Sequence, residues 1–595
     1  MSTKHFINDP AHLVESALRA VTLTNPGIGL DAANKILYIR PGLIPQQLKV
    51  HLISGGGSGH EPSFAGMVGP GLLSAAVAGT IFASPSAQQI RTAIVGRVPH
   101  QSKSDPESGV LVIVMNYTGD VLNFGVAIEA ARAEGTNVQM VVVGDDVAVG
   151  RSHAGKVGRR GIAGTVLVHK LSGALASMGY GLTQVAALAQ LVADNLVTIG
   201  ASLERVHVPG VRESSTEYTS RLAPDEAEIG MGIHNEQGWC RASNTAFSDL
   251  IDTMLQYLLA QDDPERSFVD FKTNPENVVL LVNNLGGLSP LELGGIVSEA
   301  ALQLKQTHGI RVLRVLSGTY MTSLDAHGFS ITLLRLVNTG INGLSLLDLL
   351  DYPCEALGWP SSVPKATWEA KDLGIQEHKV VSKVEKELSG LKSDAQTTEM
   401  ALVAALKSVI ASEPDITRFD MIVGDGDCGT TLRRGAQAVL HHVSSHHLTG
   451  DIVVDLAAIV PVVENSMDGT SGALYAIFLN SLVRSLRSLA PGELSSTSWA
   501  IALGKSRDAL AKYTPARPGD RTLVDALYPF IEILEKTGDL EKAATASMEA
   551  AEATQGLQAK LGRTVYLGDS GFEQVPDPGA WGLARFFVGL AGYEI

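Results

Sequence analysis

Residues 48–62 read Leu48-Lys49-Val50-His51-Leu52-Ile53-Ser54-Gly55-Gly56-Gly57-Ser58-Gly59-His60-Glu61-Pro62. An apolar run of strand length breaks into a glycine-rich loop, and a histidine closes the loop. Glycine lets backbone approach a small polar ligand or a neighbouring element closely. A dinucleotide site is the rival reading, but the GxGxxG spacing is imperfect and no helix of dinucleotide-fold type follows at once. The succession recurs. Residues 109–115 (GVLVIVM) are a second apolar run, followed by Asn116-Tyr117-Thr118-Gly119-Asp120 and a helical pattern through Ala133. Residues 137–143 (NVQMVVV) give a third run, and residues 278–283 and 310–317 repeat the pattern around a helix over 290–305. Strands that alternate with helices predict a mostly parallel sheet covered on both faces. The first half therefore reads as two α/β lobes with mostly parallel or mixed sheets, residues 1–190 and 191–344.

From about Thr397 the periodicity is helical, with apolar patterns over 399–411, 429–443, 451–466, 471–488, 497–512, 521–536, 540–560 and 579–592. An all-α bundle or barrel over residues 397–595 is the expectation. Between the two parts, Pro353, Pro360 and Pro364 precede a mixed-charge stretch, and residues 345–396 read as an exposed linker. A chain of 595 residues is too long for one core, and about three or four are expected.

A formal net charge of −16 opposes a polyphosphate partner, so nucleic acid is excluded. Cys240, Cys354 and Cys428 are too widely spaced for a disulfide framework or a zinc signature, which fits a reducing compartment. No apolar run has the length of a membrane span and no signal-peptide core is visible, so a soluble protein of the cytoplasm, without a membrane partner, is expected.

Asp420, Asp425 and Asp427 converge if the chain turns sharply, which Gly424 and Gly426 permit. Hard carboxylate oxygens suit Mg²⁺ shared with nucleotide phosphates, and an acidic turn capping the helix that starts near Thr430 accounts for them equally. Met467-Asp468-Gly469-Thr470-Ser471-Gly472 opens another helix as a phosphate cradle or a simple N-cap. Gly519-Asp520-Arg521-Thr522 puts a cation at a further helix start. No Walker A sequence occurs, which disfavours a P-loop kinase. In the first half, Asp120 suits a general base or a helix cap. Gly230-Met231-Gly232-Ile233-His234-Asn235-Glu236 places a histidine after two glycines. A neutral imidazole nitrogen adds to a ketone carbon to give a hemiaminal, a reaction closed to a hydroxyl-only substrate such as glycerol. The cluster of His441, His442, His446 and His447 suits a transition metal or an exposed helix end, and no function is assigned to it.

These residues resemble the dihydroxyacetone kinase family in its single-chain, ATP-dependent, fungal-like form. The resemblance runs from KHFINDP through ISGGGSGHEP, FASPS, NYTGD, GKVGRRGIAGTVLVHK, RVHVPG, GMGIHNE, NNLGGLS, GDGDCG, GTSGALY and GDRT to DPGA. It implies that His234 binds the carbonyl covalently, that Asp120 is the acid/base at the accepting hydroxyl, and that His60 assists. It places Gly56, Gly57, Ser58 and Met115 near the ketose. It implies two Mg²⁺ ions on Asp420, Asp425 and Asp427, with Thr430, Thr431, Thr470, Ser471, Gly472, Arg521 and the turn Asp577-Pro578-Gly579 near ATP. Dihydroxyacetone phosphate and ADP are the implied products. A homodimer with the helical domain of one subunit over the ketose site of its partner is implied as well. Glyceraldehyde or erythrulose phosphorylation, cleavage of FAD to cyclic FMN, and a nonenzymatic metabolite sensor are the alternatives. Two positions depart from the family pattern: Met115 stands where relatives have Lys, and Asp468 stands where they have Gly.

Overall fold

The computed structural model describes residues 5–99, 105–210, 222–243, 246–272, 277–341, 343–361, 363–370, 388–561 and 574–592. The chain divides into two compact units, Met1–Ile375 and Gln376–Ile595.

The first unit holds two six-stranded sheets. One comprises β1 (Ile28–Asp31), β2 (Ile36–Ile39), β3 (Val50–Ser58), β4 (Ala75–Ile81), β5 (Gly109–Met115) and β6 (Val138–Val143), in the order β1-β2-β4-β3-β5-β6. Strands β4, β3, β5 and β6 are mutually parallel, with Ile53 opposite Ala75 on one side and Val112 on the other. The glycine run is not the loop its composition suggests, because β3 continues through it to Ser58. A Cβ on Gly55 would lie 2.3 Å from the Val77 carbonyl oxygen, and one on Gly57 would lie 2.7 Å from the Ala83 nitrogen. Only glycine lets β4 and the Phe82–Ala83 backbone close on the strand.

The other sheet comprises β7 (Leu196–Ser202), β8 (Glu226–Ile229), β9 (Cys240–Ser243), β10 (Val278–Asn284), β11 (Val312–Gly318) and β12 (Gly328–Arg335), in the order β11-β10-β12-β7-β8-β9. Here only β10 and β11 run parallel and the other neighbours are antiparallel, so the sheet is mixed. The helix Thr165–Ser177 is buried along its whole length, as befits one apolar on all sides. Inside it, the Lys170 ammonium donates to the carbonyls of Leu349 (3.0 Å) and Tyr352 (2.8 Å). These bonds and the burial of Leu346, Leu349, Leu350, Ala356 and Trp359 correct the linker reading for residues 345–359. That stretch belongs to the core of the first unit, since its apolar residues have a helix face to pack on.

The second unit is helical: Ala395–Val423, Cys428–Ser445, Ile452–Ser466, Gly469–Arg487, Ser496–Leu510, Leu523–Thr537, Leu540–Glu552 and Pro578–Leu590. These helices enclose an apolar cavity of about 200 Å³ whose walls include Leu406, Leu432, Leu479 and Phe586. Helix Ala395–Val423 passes Pro414 without ending. Asp420 consequently sits on its last turn and not in a loop.

Candidate active site

His234 follows β8 through Gly230, whose φ of +80° and close neighbour Ala148 both require glycine: a Cβ there would meet the Ala148 Cβ at 2.4 Å. Asn235 sits in the left-handed region at φ +65°, and its amide pairs twice with the Val206 backbone, at 2.9 Å each. Asparagine tolerates this conformation better than other side-chain-bearing residues. The kink turns Glu236 back onto His234. One Glu236 oxygen accepts the His234 backbone N–H at 2.8 Å and the other lies 3.0 Å from Nδ1. Burial alone would raise the Glu236 carboxyl, but the hydrogen bond and charge of His234 pull it down to about 2.

Nε2 of His234 lies 3.0 Å from Nε2 of His60, and Nδ1 of His60 lies 2.8 Å from the Thr322 carbonyl oxygen. A carbonyl only accepts, so His60 donates from Nδ1. Burial, reinforced by the nearby His234, holds the fully buried His60 imidazole down to about 3, so it is neutral and Nε2 carries its lone pair. A close contact between two ring nitrogens requires one proton, and that proton belongs to His234 Nε2. The ring of Tyr117 meets His234 edge-on at 4.7 Å, and Phe82 does so at 5.2 Å. Asp120 lies one turn into helix Thr118–Ala133 and is 5 % exposed. Burial raises its carboxyl above the ordinary range, against a hydrogen bond from Ser84 and the nearby His234. Its Oδ1 is buried without a partner among the described residues, an acceptor waiting for a donor. The first unit thus brings His60, Asp120 and His234 near one another.

Met115 ends β5. It is 1 % exposed in the apolar core, and a Cβ on Gly161 would lie 2.8 Å from its Cβ. Its thioether carries no charge into the site. Gly56, Gly57 and Ser58 are buried strand residues, and the Ser58 hydroxyl is spent on the Gly79 carbonyl at 2.9 Å. The cavity beside them, about 10 Å³, has room for one water.

In the helical unit, Asp420, Asp425 and Asp427 each bring one carboxylate oxygen within 4.8 Å of the others. Asp420 Oδ2 is fixed by the Cys428 N–H at 2.9 Å. A Cβ on Gly424 would lie 2.1 Å from Asp420 Oδ1, and Gly426 has φ +81°, so both glycines are needed for the turn. Asp427 precedes helix Cys428–Ser445 without a side-chain capping bond, so of the three carboxylates it is Asp420 that receives a helix-start N–H. Thr430 and Thr431 lie in the first turn of that helix, where the Thr430 hydroxyl bonds the Asp427 carbonyl at 2.9 Å. Thr470, Ser471 and Gly472 open helix Gly469–Arg487, which Asp468 does not cap through its side chain. Gly472 is obligatory, because a Cβ would meet the Met467 carbonyl at 2.1 Å. Asp468 does not stand as an isolated negative charge, since Arg434 pairs with it at 2.6 Å.

Asp577 caps helix Pro578–Leu590 by accepting the Ala580 N–H at 2.7 Å, which sets Pro578 and Gly579 in the first turn. Its carboxyl is pushed up to about 7, chiefly by burial, with Asp525 and Asp420 adding to the shift. Arg521 is the correction. It is 2 % exposed, with φ +58°, and its guanidinium donates to the carbonyls of Thr554 (3.1 Å), Leu557 (3.0 Å) and Val575 (2.8 Å). It clamps the backbone leading to Asp577 and does not present a cation to a phosphate.

Two family models match the chain, the Dak1 domain over residues 19–358 and the DAK2 domain over residues 422–592. The chain belongs to the dihydroxyacetone kinase family. It is 43 % identical to a dihydroxyacetone kinase of Pichia angusta, with 99 % of this chain and 98 % of that one covered. It is 42 % identical to dihydroxyacetone kinase 2 of Saccharomyces cerevisiae, with each chain covered completely. Among solved structures, the dihydroxyacetone kinase of C. freundii in complex with AMP-PNP and Mg²⁺ is similar at a TM-score of 0.63 and 31 % identity, again over 100 % of both chains. Within this family frame, Glu236 and Thr322 are the site residues that the sequence reading missed. Glu236 stood in the quoted motif, yet its bond to the residue two before it depends on the Asn235 kink.

Proposed function

We propose that this kinase transfers the terminal phosphoryl group of ATP to a hydroxyl of dihydroxyacetone, with the ketone held as a hemiaminal on His234. The observation that carries the reading is the His234 imidazole, held by Glu236 at Nδ1 and by His60 at Nε2, beside the unpartnered oxygen of Asp120. The proton balance follows from those bonds. Nε2 of His234 passes its proton to Nε2 of His60 and attacks the carbonyl carbon. The π pair moves onto oxygen, which takes the proton from His60. One N–H is lost while one N–C and one O–H bond form, and the charge on His234 stays matched by Glu236. Asp120, with its raised carboxyl, receives the proton of the hydroxyl that attacks phosphorus.

Asp420, Asp425 and Asp427 fit the oxygen-only donor set that Mg²⁺ takes, and two ions are proposed there. Bound Mg²⁺ would neutralise phosphate charge. Thr470, Ser471 and the amides of two helix starts would receive phosphate oxygens. Gly56–Ser58 would contribute backbone to the ketose side. Arg521, Asp577, Pro578 and Gly579 would act by holding the wall of the nucleotide site. The protein is proposed to work in the cytoplasm, in keeping with its three free cysteines, and as a homodimer.

Purified protein given Mg-ATP and dihydroxyacetone is expected to release ADP, and absence of ketone-dependent ADP would sink the reading. His234→Ala should abolish ketone capture and leave ATP binding intact. Equal loss of both would contradict the division of labour between the units.

A further inference from the structure

The histidine run at the end of helix Cys428–Ser445 has no part in the transfer chemistry above. His442 lies in the last turn of that helix, and His446, four residues on, is its extended C-cap at φ −137°. Their rings stack with centroids 5.0 Å apart and planes at 22°. Nδ1 of His446 lies 3.4 Å from the His442 carbonyl oxygen. That nitrogen carries the proton, which leaves the His446 lone pair on Nε2. Burial, and then the neighbouring imidazoles of His446 and His441, lower the His442 pKa, so its lone pair is available at neutral pH. The rings stand where the helix ends at Ser445, with its last carbonyls and the negative pole of its dipole. His447 and the Glu399 carboxylate, 3.4 Å apart, lie at the same end.

We propose that His442 and His446 form a bidentate site for a borderline divalent transition cation of the Zn²⁺, Cu²⁺ or Ni²⁺ class, with water completing the coordination. Imidazole nitrogen selects such ions, whereas Mg²⁺ prefers oxygen. His446 is exposed and His442 half-buried, so small side-chain rotations bring the two nitrogens onto one ion without repacking the core. The site is separate from the aspartate triplet. Cys428 and His442 are fourteen positions apart on one helix, about 21 Å along its axis.

The test uses the full chain in excess Mg²⁺ with one equivalent of Cu²⁺ as the probe, read by electron paramagnetic resonance. Wild type should give hyperfine structure from two imidazole nitrogens. His442→Ala and His446→Ala should each lose the two-nitrogen pattern, and His441→Ala should keep it. A Zn²⁺ titration by calorimetry should lose one equivalent in the double variant. Ketone-dependent ADP release and circular dichroism should stay at wild-type levels throughout, because neither residue belongs to the transfer machinery. Oxygen-only coordination in wild type would overturn the proposal. So would a nitrogen pattern that survives unchanged in the double variant, since the His60–His234 and His5–His207 pairs would then be the binders.

Discussion

Glu236→Gln is the most informative single change. The two carboxylate oxygens accept two donors of the same residue, the His234 backbone N–H at 2.8 Å and Nδ1 at 3.0 Å. Glutamine keeps only one acceptor. The backbone N–H has no alternative tautomer, so it claims the amide oxygen and the amide NH₂ faces Nδ1. Nδ1 must then accept, so the ring keeps only its Nε2 proton, and passing that proton to His60 would leave an anionic imidazolate. The substitution therefore blocks the nucleophile while altering shape very little. A hydrogen bond to a charged partner is worth about 1.5–3 kcal/mol, which converts to a loss of roughly 10- to 150-fold in kcat/KM for the ketone. The assay is steady-state ADP release with dihydroxyacetone varied, run beside calorimetric binding of Mg-ATP, which should not change. Glu236→Asp should recover part of the loss by restoring two acceptors. Ketone kinetics of Glu236→Gln within twofold of wild type would refute the tautomer argument.

Three further outcomes follow from the geometry. His60 and His169 are both held down to about 3, first of all by burial, so below pH 6.5 the unfolded chain binds protons that the folded chain refuses. Stability is complete above that range and falls on acidification, by about 2 kcal/mol per histidine at pH 5; His169→Leu should remove one share of the pH 7-to-5 drop in urea stability, and an undiminished drop would contradict it. Arg521→Met should lower the melting temperature of the helical unit together with ATP affinity, because three carbonyls lose their donor; lost affinity at unchanged melting temperature would restore Arg521 as a phosphate ligand. Gly424→Ala forces a Cβ to within 2.1 Å of Asp420 Oδ1, so the Mg²⁺ concentration for half-maximal activity should rise at least about tenfold, a change of about 1.4 kcal/mol, with ketone capture intact.

Much of the site was legible because its chemistry lies in short motifs at strand and helix ends. Apolar runs at 109–115 and 278–283 mark β5 and β10, since strands buried on both faces have little polar content. The aspartate triplet was legible through its glycines, which have no other reason to alternate with carboxylates. The glycine run of β3 misled as to conformation: the residue that suits a loop also suits a strand pressed by its neighbours. The stretch from Leu346 to Trp359 misled through its prolines, because the helix face that receives it comes from residues 165–177, far away in sequence.

Charge gave the sharpest divergence between sequence and structure, and Asp468 and Arg521 explain why. A charged residue at a helix start reads the same whether it meets solvent, a phosphate or the protein itself. Asp468 looks hostile to nucleotide, but Arg434, on the neighbouring helix, answers it at 2.6 Å. That exposed pair adds little stability, yet it cancels charge at the mouth of helix Gly469–Arg487. Arg521 looks like a phosphate ligand, but its φ of +58° turns the guanidinium inward onto three carbonyls. Here the sign of charge presented to a nucleotide depends on backbone conformation and on partners far along the chain, both invisible to a motif. The carbonyl site escapes this ambiguity because its decisive group is a lone pair. Glu236 and Thr322 each take one ring proton from a different histidine, and that alone dictates which nitrogen faces the substrate.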